Sequence, residues 1–137
     1  MKVIVVGGAG LPEQVAAVLR DAGDQVTVID SGLGREQALA DAGLHYVVGD
    51  PLVPATLEAA GALKADVLLA VSQSDEDNLV ISLLGKRRCG VPKVIARVND
   101  PATEALFDAT WGVDAVVSPA TALVEMIRLP VADPTVS

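Results

Sequence analysis

The sequence predicts an α/β fold: a doubly wound parallel sheet of six strands in the order 3-2-1-4-5-6, with helices on both faces. Short, nearly continuous runs of Val, Ile and Leu are typical of strands buried on both faces of a parallel sheet. Helical patterns separate these runs, and strict alternation of strand and helix requires right-handed crossovers. A length of 137 residues with 51% apolar residues suits one domain with one substantial core.

Six short runs rich in β-branched residues are the predicted strands. They lie at residues 3–6, 26–29, 46–48, 67–71, 94–98 and 115–117. Because most of these runs lack alternating polar positions, we expect helices to cover both faces of the sheet.

Six helices are predicted between and after the strands. They lie at residues 13–22, 35–42, 54–60, 75–89, 101–110 and 120–129. The fourth has the strongest signals, because Ser74 suits the N-cap, Asp77 completes a capping-box pattern and Gly90 suits a left-handed C-cap. The predicted domain covers residues 1–129, and residues 130–137, which have no apolar period, are expected to form a flexible tail.

Composition and charge exclude several classes of protein. A net charge of −8 argues against a general nucleic-acid surface. One cysteine, Cys89, and one histidine, His45, cannot build a disulfide framework or a usual zinc site. No apolar run approaches the roughly 20 residues needed to span a bilayer. The apolar start is also too short for a signal peptide. The sequence therefore predicts a cytoplasmic protein without direct membrane insertion.

A glycine-rich loop, Gly7-Gly8-Ala9-Gly10-Leu11-Pro12, follows the first strand. It is an altered form of the G-x-G-x-x-G fingerprint, whose glycines let the backbone approach a pyrophosphate. Ala9 stands at the second glycine position, and Pro12 or Glu13 stands at the third, depending on the register. Pro12 lacks an N–H and Glu13 adds negative charge, so both changes are expected to weaken phosphate binding. A tight turn without a ligand is the alternative interpretation.

Small and polar residues follow the other predicted strands, at the edge where ligands bind to open parallel sheets. Asp30 ends the second strand about 20 residues after the loop, where an acid typically holds the ribose hydroxyls and disfavours NADP. A strand-end turn residue is the alternative for Asp30. The other candidates at this edge are Ser31, Gly49, Asp50, Ser72, Gln73 and Arg97.

No catalytic arrangement is evident. Tyr46 is followed at the fourth position by Asp50 rather than by the lysine of a reductase Tyr-x-x-x-Lys pair. His45 has no evident serine or cysteine partner. Arg87 and Arg88 next to Cys89 favour a lower thiol pKa, but an inert helix-end cysteine is the simpler interpretation. We therefore predict neither a catalytic nor a metal site, and a protein that is not an enzyme.

Several segments together resemble a known family. They lie at residues 1–30, 47–50, 65–78, 95–101, 111–114 and 118–119, and the most specific reads Ile95-Ala96-Arg97-Val98-Asn99-Asp100-Pro101. Over residues 1–129 the chain resembles the N-terminal nucleotide-binding domain of the regulators of potassium conductance (RCK, TrkA-N). These are peripheral subunits of Trk/Ktr-type potassium transporters. The resemblance implies a Rossmann-like fold that binds NAD(H) or ATP/ADP.

The resemblance also assigns roles to residues. It implies a phosphate loop at Gly7, Gly8, Ala9, Gly10 and Leu11, and a ribose-binding acid at Asp30. It further implies an adenine-side loop at Gly49 and Asp50, a turn at Ser72 and Gln73, and a phosphate-facing arginine at Arg97.

The function implied is that of a cytoplasmic regulatory subunit at the inner face of the membrane. Nucleotide binding would be coupled to gating of a membrane potassium transporter subunit, with the chain in a homodimer or larger ring. Two other functions stay open. One is the cofactor half of a small NAD-dependent oxidoreductase, and the other is a degenerate domain that serves as an assembly scaffold.

The last helices carry apolar residues that favour assembly. On the fourth helix, Leu79, Val80, Leu83 and Leu84 are expected to share one broad face, with Ile81 outside it. Little chain remains to cover Leu123, Val124, Ile127 and Leu129 of the final helix. We expect subunit contacts through the last two or three helices. Closure of one monomeric core is the alternative.

Overall fold

The computed structural model describes residues 1–32 and 34–131, so most of the predicted tail at 130–137 lies outside the described residues. Six parallel strands form one sheet in the order β3-β2-β1-β4-β5-β6, which confirms the predicted topology. The strands are β1 (Lys2–Val6), β2 (Gln25–Asp30), β3 (His45–Val48), β4 (Val67–Ala70), β5 (Lys93–Arg97) and β6 (Ala115–Val117).

Helices cover both faces of the sheet. They are α1 (Leu11–Asp21), α2 (Glu36–Asp41), α3 (Pro54–Ala59), α4 (Asp75–Leu83) and α5 (Pro119–Arg128), with a short 3₁₀ turn at Ala62–Lys64. Alternate residues of β1 point to opposite faces, so Val3 and Val5 pack with Ala16 and Leu39, while Ile4 and Val6 pack in the cluster that contains Leu57 and Ile81. These two clusters explain why the strand sequences are apolar throughout.

The fourth predicted helix is divided into two parts. After α4, residues Leu84–Arg88 form one π turn, and the Cys89 amide donates to the Leu84 carbonyl at 3.0 Å. Gly90 follows with a φ of 69°, as the predicted C-cap requires. Ile81 is fully buried in the core. Its expected place outside the packed face was therefore wrong, because α4 lies with this side against the sheet.

The predicted helix at 101–110 is absent, and two 3₁₀ turns, Pro101–Leu106 and Ala109–Trp111, replace it. Each turn has its own cap: Asp100 accepts from the Ala102 amide at 2.9 Å, and Asp108 accepts from the Thr110 amide at 2.9 Å. Phe107 lies between them with its side chain buried in the core. The second cap and the inward turn of Phe107 stop the helix from continuing.

The start of α4 is capped by Ser74, whose Oγ accepts from the Asp77 amide at 3.2 Å. The predicted reciprocal bond of a capping box is not made, because the Ser74 amide donates instead to Ser72 Oγ at 3.3 Å. The cap therefore joins the helix to the loop that follows β4.

Asp75 joins α4 to the loop after β5. Its carboxylate accepts from the amides of Asn99 (2.7 Å) and Asp100 (2.9 Å), from Asn99 Nδ2 (2.9 Å) and from Thr103 Oγ1 (2.9 Å). Burial acts to raise the pKa of Asp75, but the hydrogen bonds outweigh it, so the pKa is lower than the ordinary value. The ionised form of Asp75 therefore holds the loop after β5 against the start of α4.

Gly7 sets the distance between β1 and α1. A Cβ at this position would lie 2.5 Å from Pro12 Cγ and 3.1 Å from the Val71 carbonyl oxygen. Pro12 is buried in the first turn of α1, where proline is well tolerated. Pro12 is thus a packing partner of Gly7 in this loop. By contrast, a Cβ at Gly8 would meet no atom within 4 Å.

We predict that Asp75→Asn lowers the free energy of unfolding at pH 7 by about 1–2 kcal/mol, because an amide cannot accept all four bonds. A carboxyl group whose pKa is lowered by folding stabilises above its unfolded pKa of about 3.9, and this stabilisation is lost as the pH falls through the folded pKa. The difference from wild type should shrink below about pH 4 in urea unfolding. Glu76→Gln, an exposed change in the same turn, is the control. A pH-independent difference, or an equal loss in the control, would contradict the assignment.

We also predict opposite outcomes for two neighbouring glycines. Gly7→Ala should lower the free energy of unfolding by about 1–3 kcal/mol, because its methyl group overlaps the Pro12 ring. Gly8→Ala, which adds the same methyl group in open space, should change it by less than about 0.5 kcal/mol. Denaturant unfolding of both variants tests this. Equal losses would show that the Gly7–Pro12 contact does not fix the loop.

Candidate functional site

A cleft of about 510 Å³ opens at the carboxyl ends of β1, β4 and β5. It is lined by Gly8, Ala9, Gly10, Leu11, Pro12, Val71, Gln73 and Arg97. Open parallel sheets bind ligands at this edge, where the strand order reverses. We call it the loop cleft. It brings together most of the predicted phosphate loop, one residue of the turn after β4, and the predicted arginine.

The glycine loop bends sharply before α1. Gly10 takes a φ of 91° and a ψ of −122°, a conformation that residues with a Cβ rarely adopt. The helix begins at Leu11, and no side chain caps it. The amides of Leu11 and Glu13 in the first turn have no carbonyl partner within the helix, whereas Pro12 has no amide hydrogen. The loop therefore presents backbone donors, although fewer than an intact fingerprint would.

Arg97 ends β5 and lies across the loop cleft from the glycine loop. Its side chain is half-buried, and its Nε has no hydrogen-bond partner among the described residues. Within residues 1–32 and 34–131, Arg97 also makes no ion pair. A guanidinium in this state is suited to bind a phosphate or carboxylate group.

Asn78, in α4, holds the backbone beneath the loop cleft. It is fully buried. Its Nδ2 donates to the carbonyls of Ser72 (2.9 Å) and Arg97 (3.0 Å), and its Oδ1 accepts from the Ser72 amide (2.9 Å) and hydroxyl (2.7 Å). Ser72 is therefore committed to this network. Sequence reasoning gave Asn78 no role. A side-chain amide on the buried side of a capped helix does, however, indicate a hydrogen-bonding role, because buried polar groups are nearly always hydrogen-bonded.

Asp30 does not line the loop cleft. It is only 2% exposed. Its Oδ1 accepts from the Gly32 amide at 2.8 Å, its Oδ2 accepts from Arg35 Nε at 3.0 Å, and Arg35 also pairs with Glu13. Arg35, a residue that sequence reasoning did not single out, is thus shared by two carboxylates and compensates only part of the negative charge that Glu13 brings to the loop.

The remaining predicted residues lie around these groups. Gly7 is buried behind the loop, and Gly49, whose amide donates to the Asp30 carbonyl at 3.0 Å, packs against Thr56. Ser31 and Asp50 are exposed and do not line the loop cleft. The Asp50 carboxylate accepts from the Leu52 amide at 2.9 Å and so forms a turn.

The described part of the chain offers little evidence of a reactive thiol, a metal site or a membrane span. Burial, followed by the nearby Glu58 charge, raises the pKa of the Cys89 thiol despite Arg88, so Cys89 has little thiolate character. No cluster of three metal-binding side chains occurs in the described ranges. None of the helices described here has both the length and the apolar character to cross a membrane.

Curated relatives are potassium uptake proteins. The chain is 37% identical over 128 residues to the Trk system potassium uptake protein TrkA of Mycobacterium tuberculosis, covering 93% of this chain and 58% of that protein. It is 34% identical over 123 residues to the TrkA homolog of Methanothermobacter thermautotrophicus, covering 87% of this chain and 55% of that protein. The chain therefore spans a little over half the length of these relatives.

Solved structures share the fold. The NAD(P)-binding domain of an exopolyphosphatase-related protein from Archaeoglobus fulgidus aligns with a TM-score of 0.79 at 25% identity, covering 91% of this chain and 92% of that one. The GsuK channel bound to NAD aligns at 0.77 and 22% identity, covering 90% and 22%. The Shewanella denitrificans Kef C-terminal domain in its AMP-bound form aligns at 0.74 and 23% identity, covering 92% and 77%.

The family model of the TrkA-N domain matches residues 3–119, which is most of the chain and includes every strand except the first residue of β1. The resemblance drawn from the sequence is confirmed. The chain belongs to the TrkA-N domain family.

Proposed function

We propose that this chain is a regulatory module that binds NAD(H) or ATP/ADP in the loop cleft and controls a Trk/Ktr-type potassium transporter. The observation that carries the proposal is Arg97, a half-buried guanidinium without an ion-pair partner among the described residues. It lines the same cleft as the glycine loop. A diphosphate placed between them would receive charge-assisted hydrogen bonds from Arg97 and backbone bonds from the loop.

The charge distribution supports this placement. The chain carries a net charge of −8, so an anion is repelled by most of its surface. Arg35 pairs with Glu13 as well as with Asp30, which lowers part of the expected cost of an acid in the first turn of α1. This ion pair weakens the argument for a degenerate scaffold. The cofactor half of an oxidoreductase has no specific support, since no acid–base pair lines the loop cleft.

The adenosine part of the nucleotide is expected to extend from the loop cleft toward β2 and β3. Asp30 would then accept from the ribose hydroxyls, with Ser31, Gly49 and Asp50 around the ribose and adenine. Asp30 ends β2 and Asp50 follows β3, and both strands lie on the side of β1 away from Arg97. A bound dinucleotide or ADP would therefore span the point where the strand order reverses.

Regulation requires contact with other subunits, and α5 offers a surface for it. Leu123, Met126 and Ile127 are 66%, 65% and 80% exposed. The face is contiguous with Val124 and Leu129, and an apolar surface of this kind marks a contact with a partner. We propose that α5 contributes to a homodimer or larger ring that sits at the inner face of the membrane on the transporter subunit.

The first test is a panel of NAD, NADH, ADP and ATP, scored by the rise in melting temperature and by calorimetric titration. At least one nucleotide should stabilise the wild-type protein. Arg97→Met should weaken its binding by about 1–3 kcal/mol, because the variant removes the phosphate partner. Binding of adenosine, which has no phosphate, should change little.

Arg88→Met is the matched control, because Arg88 is exposed and lies away from the loop cleft. Its nucleotide affinity should equal that of wild type. Absence of binding by all four nucleotides would favour the scaffold function. Steady oxidation of NADH with carbonyl substrates would instead favour the oxidoreductase.

The second test addresses assembly. In sedimentation at micromolar concentration we expect a dimer or larger species, and Ile127→Glu should shift it toward the 14.0 kDa monomer, because the charge would be buried in the contact. Val18→Glu, at a 68% exposed site on α1, should leave the assembly intact. A wild-type protein that sediments as a single monomer would refute the role of α5.

A further inference from the structure

Three charged side chains in mutual contact cover the region where the ribose is expected. Arg35 lies just before α2, and its guanidinium contacts two carboxylates from different elements. Its Nε donates to Asp30 Oδ2 at 3.0 Å, and its Nη2 pairs with Glu13 in the first turn of α1. The Arg35 and Glu13 side chains are each 27% exposed, whereas that of Asp30 is 3% exposed. The Arg35 side chain therefore packs over the buried acid and is itself partly exposed.

Gly32 makes this arrangement possible. A Cβ at position 32 would lie 2.8 Å from Arg35 Cγ and 3.1 Å from Asp30 Oδ1. The Gly32 amide also donates to Asp30 Oδ1 at 2.8 Å. The Gly32 amide thus binds one oxygen of the Asp30 carboxylate. The Arg35 side chain binds the other oxygen, and it passes through space that a side chain at position 32 would fill.

We propose that Glu13 and Arg35 form a switch that shuts the ribose subsite in the empty domain and opens when an adenosine nucleotide reaches Asp30. The proposal rests on the proposed function. A hydroxyl group cannot hydrogen-bond to a carboxylate that is 3% exposed unless the covering group moves. Arg35 is that group, and Glu13 holds its other end.

The energetic consequence is a reduced apparent affinity. Only the fraction of molecules with Arg35 displaced can bind the ribose, so the apparent dissociation constant is the intrinsic one divided by that fraction. Weakening the Glu13–Arg35 pair should raise the open fraction. Because the pair joins the first turn of α1 to the start of α2, occupancy of the subsite is also communicated to both helices.

Simple electrostatics offers a competing explanation for any effect of Glu13. Removing a negative charge beside the glycine loop would strengthen the binding of a phosphate whether or not a switch exists. Adenosine separates the two explanations because it is neutral and reaches only the ribose and adenine subsites. The switch affects adenosine and ADP alike, whereas charge repulsion affects ADP alone.

The experiment measures adenosine and ADP binding to wild type and to Glu13→Gln by calorimetry or NMR titration. We expect Glu13→Gln to tighten adenosine binding by about fivefold, the effect of losing a half-buried ion pair of about 1 kcal/mol. ADP binding should tighten by at least as much. Glu36→Gln removes the same charge from an exposed site in the first turn of α2 and should change adenosine binding by less than about twofold.

A second measurement follows the switch in the wild-type protein, so that it does not depend on how a variant folds. The Nε–Hε resonance of Arg35, assigned by its loss in Arg35→Lys, should shift on addition of adenosine as the bond to Asp30 breaks. An unmoved resonance, or tightening by Glu13→Gln for ADP only, would overturn the switch and leave the proposed function standing. Weaker adenosine binding by Glu13→Gln would also overturn it. If the wild-type protein binds none of NAD, NADH, ADP and ATP, both proposals fail.

Discussion

The candidate site depends on the hydrogen bonds made by the buried side-chain amide of Asn78. The Asn78 amide donates to the Arg97 carbonyl at the end of β5 and to the Ser72 carbonyl in the loop after β4. These two bonds position Arg97 relative to the rest of the loop cleft. The Asn78 side chain is fully buried, and a buried polar group left unsatisfied costs about 1–3 kcal/mol. Asp75 acts beside it and holds the loop after β5 through four further bonds. The helix α4 therefore supports the side of the loop cleft that lies opposite the glycine loop.

Charged side chains in and outside the candidate site are arranged in two contrasting ways. Arg35 is satisfied within the chain by two carboxylates, and Lys86 is satisfied by Asp114 at 2.8 Å. Both charges of the Lys86–Asp114 pair have partners, and the pKa of Asp114 stays low because the bonds from Lys86 and the Val94 amide outweigh the effect of burial. Arg97, in contrast, lacks such a partner among the described residues. The loop cleft therefore presents a guanidinium without an ion-pair partner among the described residues, whereas the Asp30 carboxylate is buried and paired.

The sheet topology was predictable from the sequence because it rests on local composition. Each buried strand is a short apolar run, and the alternation with helices leaves few possible connections. The glycine loop and Arg97 were also predictable, since the carboxyl ends of parallel strands meet at one edge. The two 3₁₀ turns were not, because apolar spacing at 101–110 does not reveal that Phe107 turns inward and that Asp108 starts a new cap.

The burial of Asp30 beneath Arg35 was also not predictable, and the reason is different. It depends on Arg35 and Glu13, which meet only after α1 and β2 have packed, and on the absence of a Cβ at Gly32. Asn78 is similar, since its partners lie in β5 and in the loop after β4. Sequence patterns identify which residue types converge on an edge of the sheet, but pairing between side chains is set by tertiary packing.

The most direct test of the central claim is an amide chemical-shift titration of the wild-type protein with ADP. The account predicts that the largest shifts occur at Gly8, Gly10 and Leu11 in the loop, and at Gln73 and Arg97 across the cleft. Shifts confined to the opposite edge of the sheet, at Gly43, Leu44 and His45, would contradict it. So would a spectrum that ADP leaves unchanged and that NAD, NADH and ATP also leave unchanged.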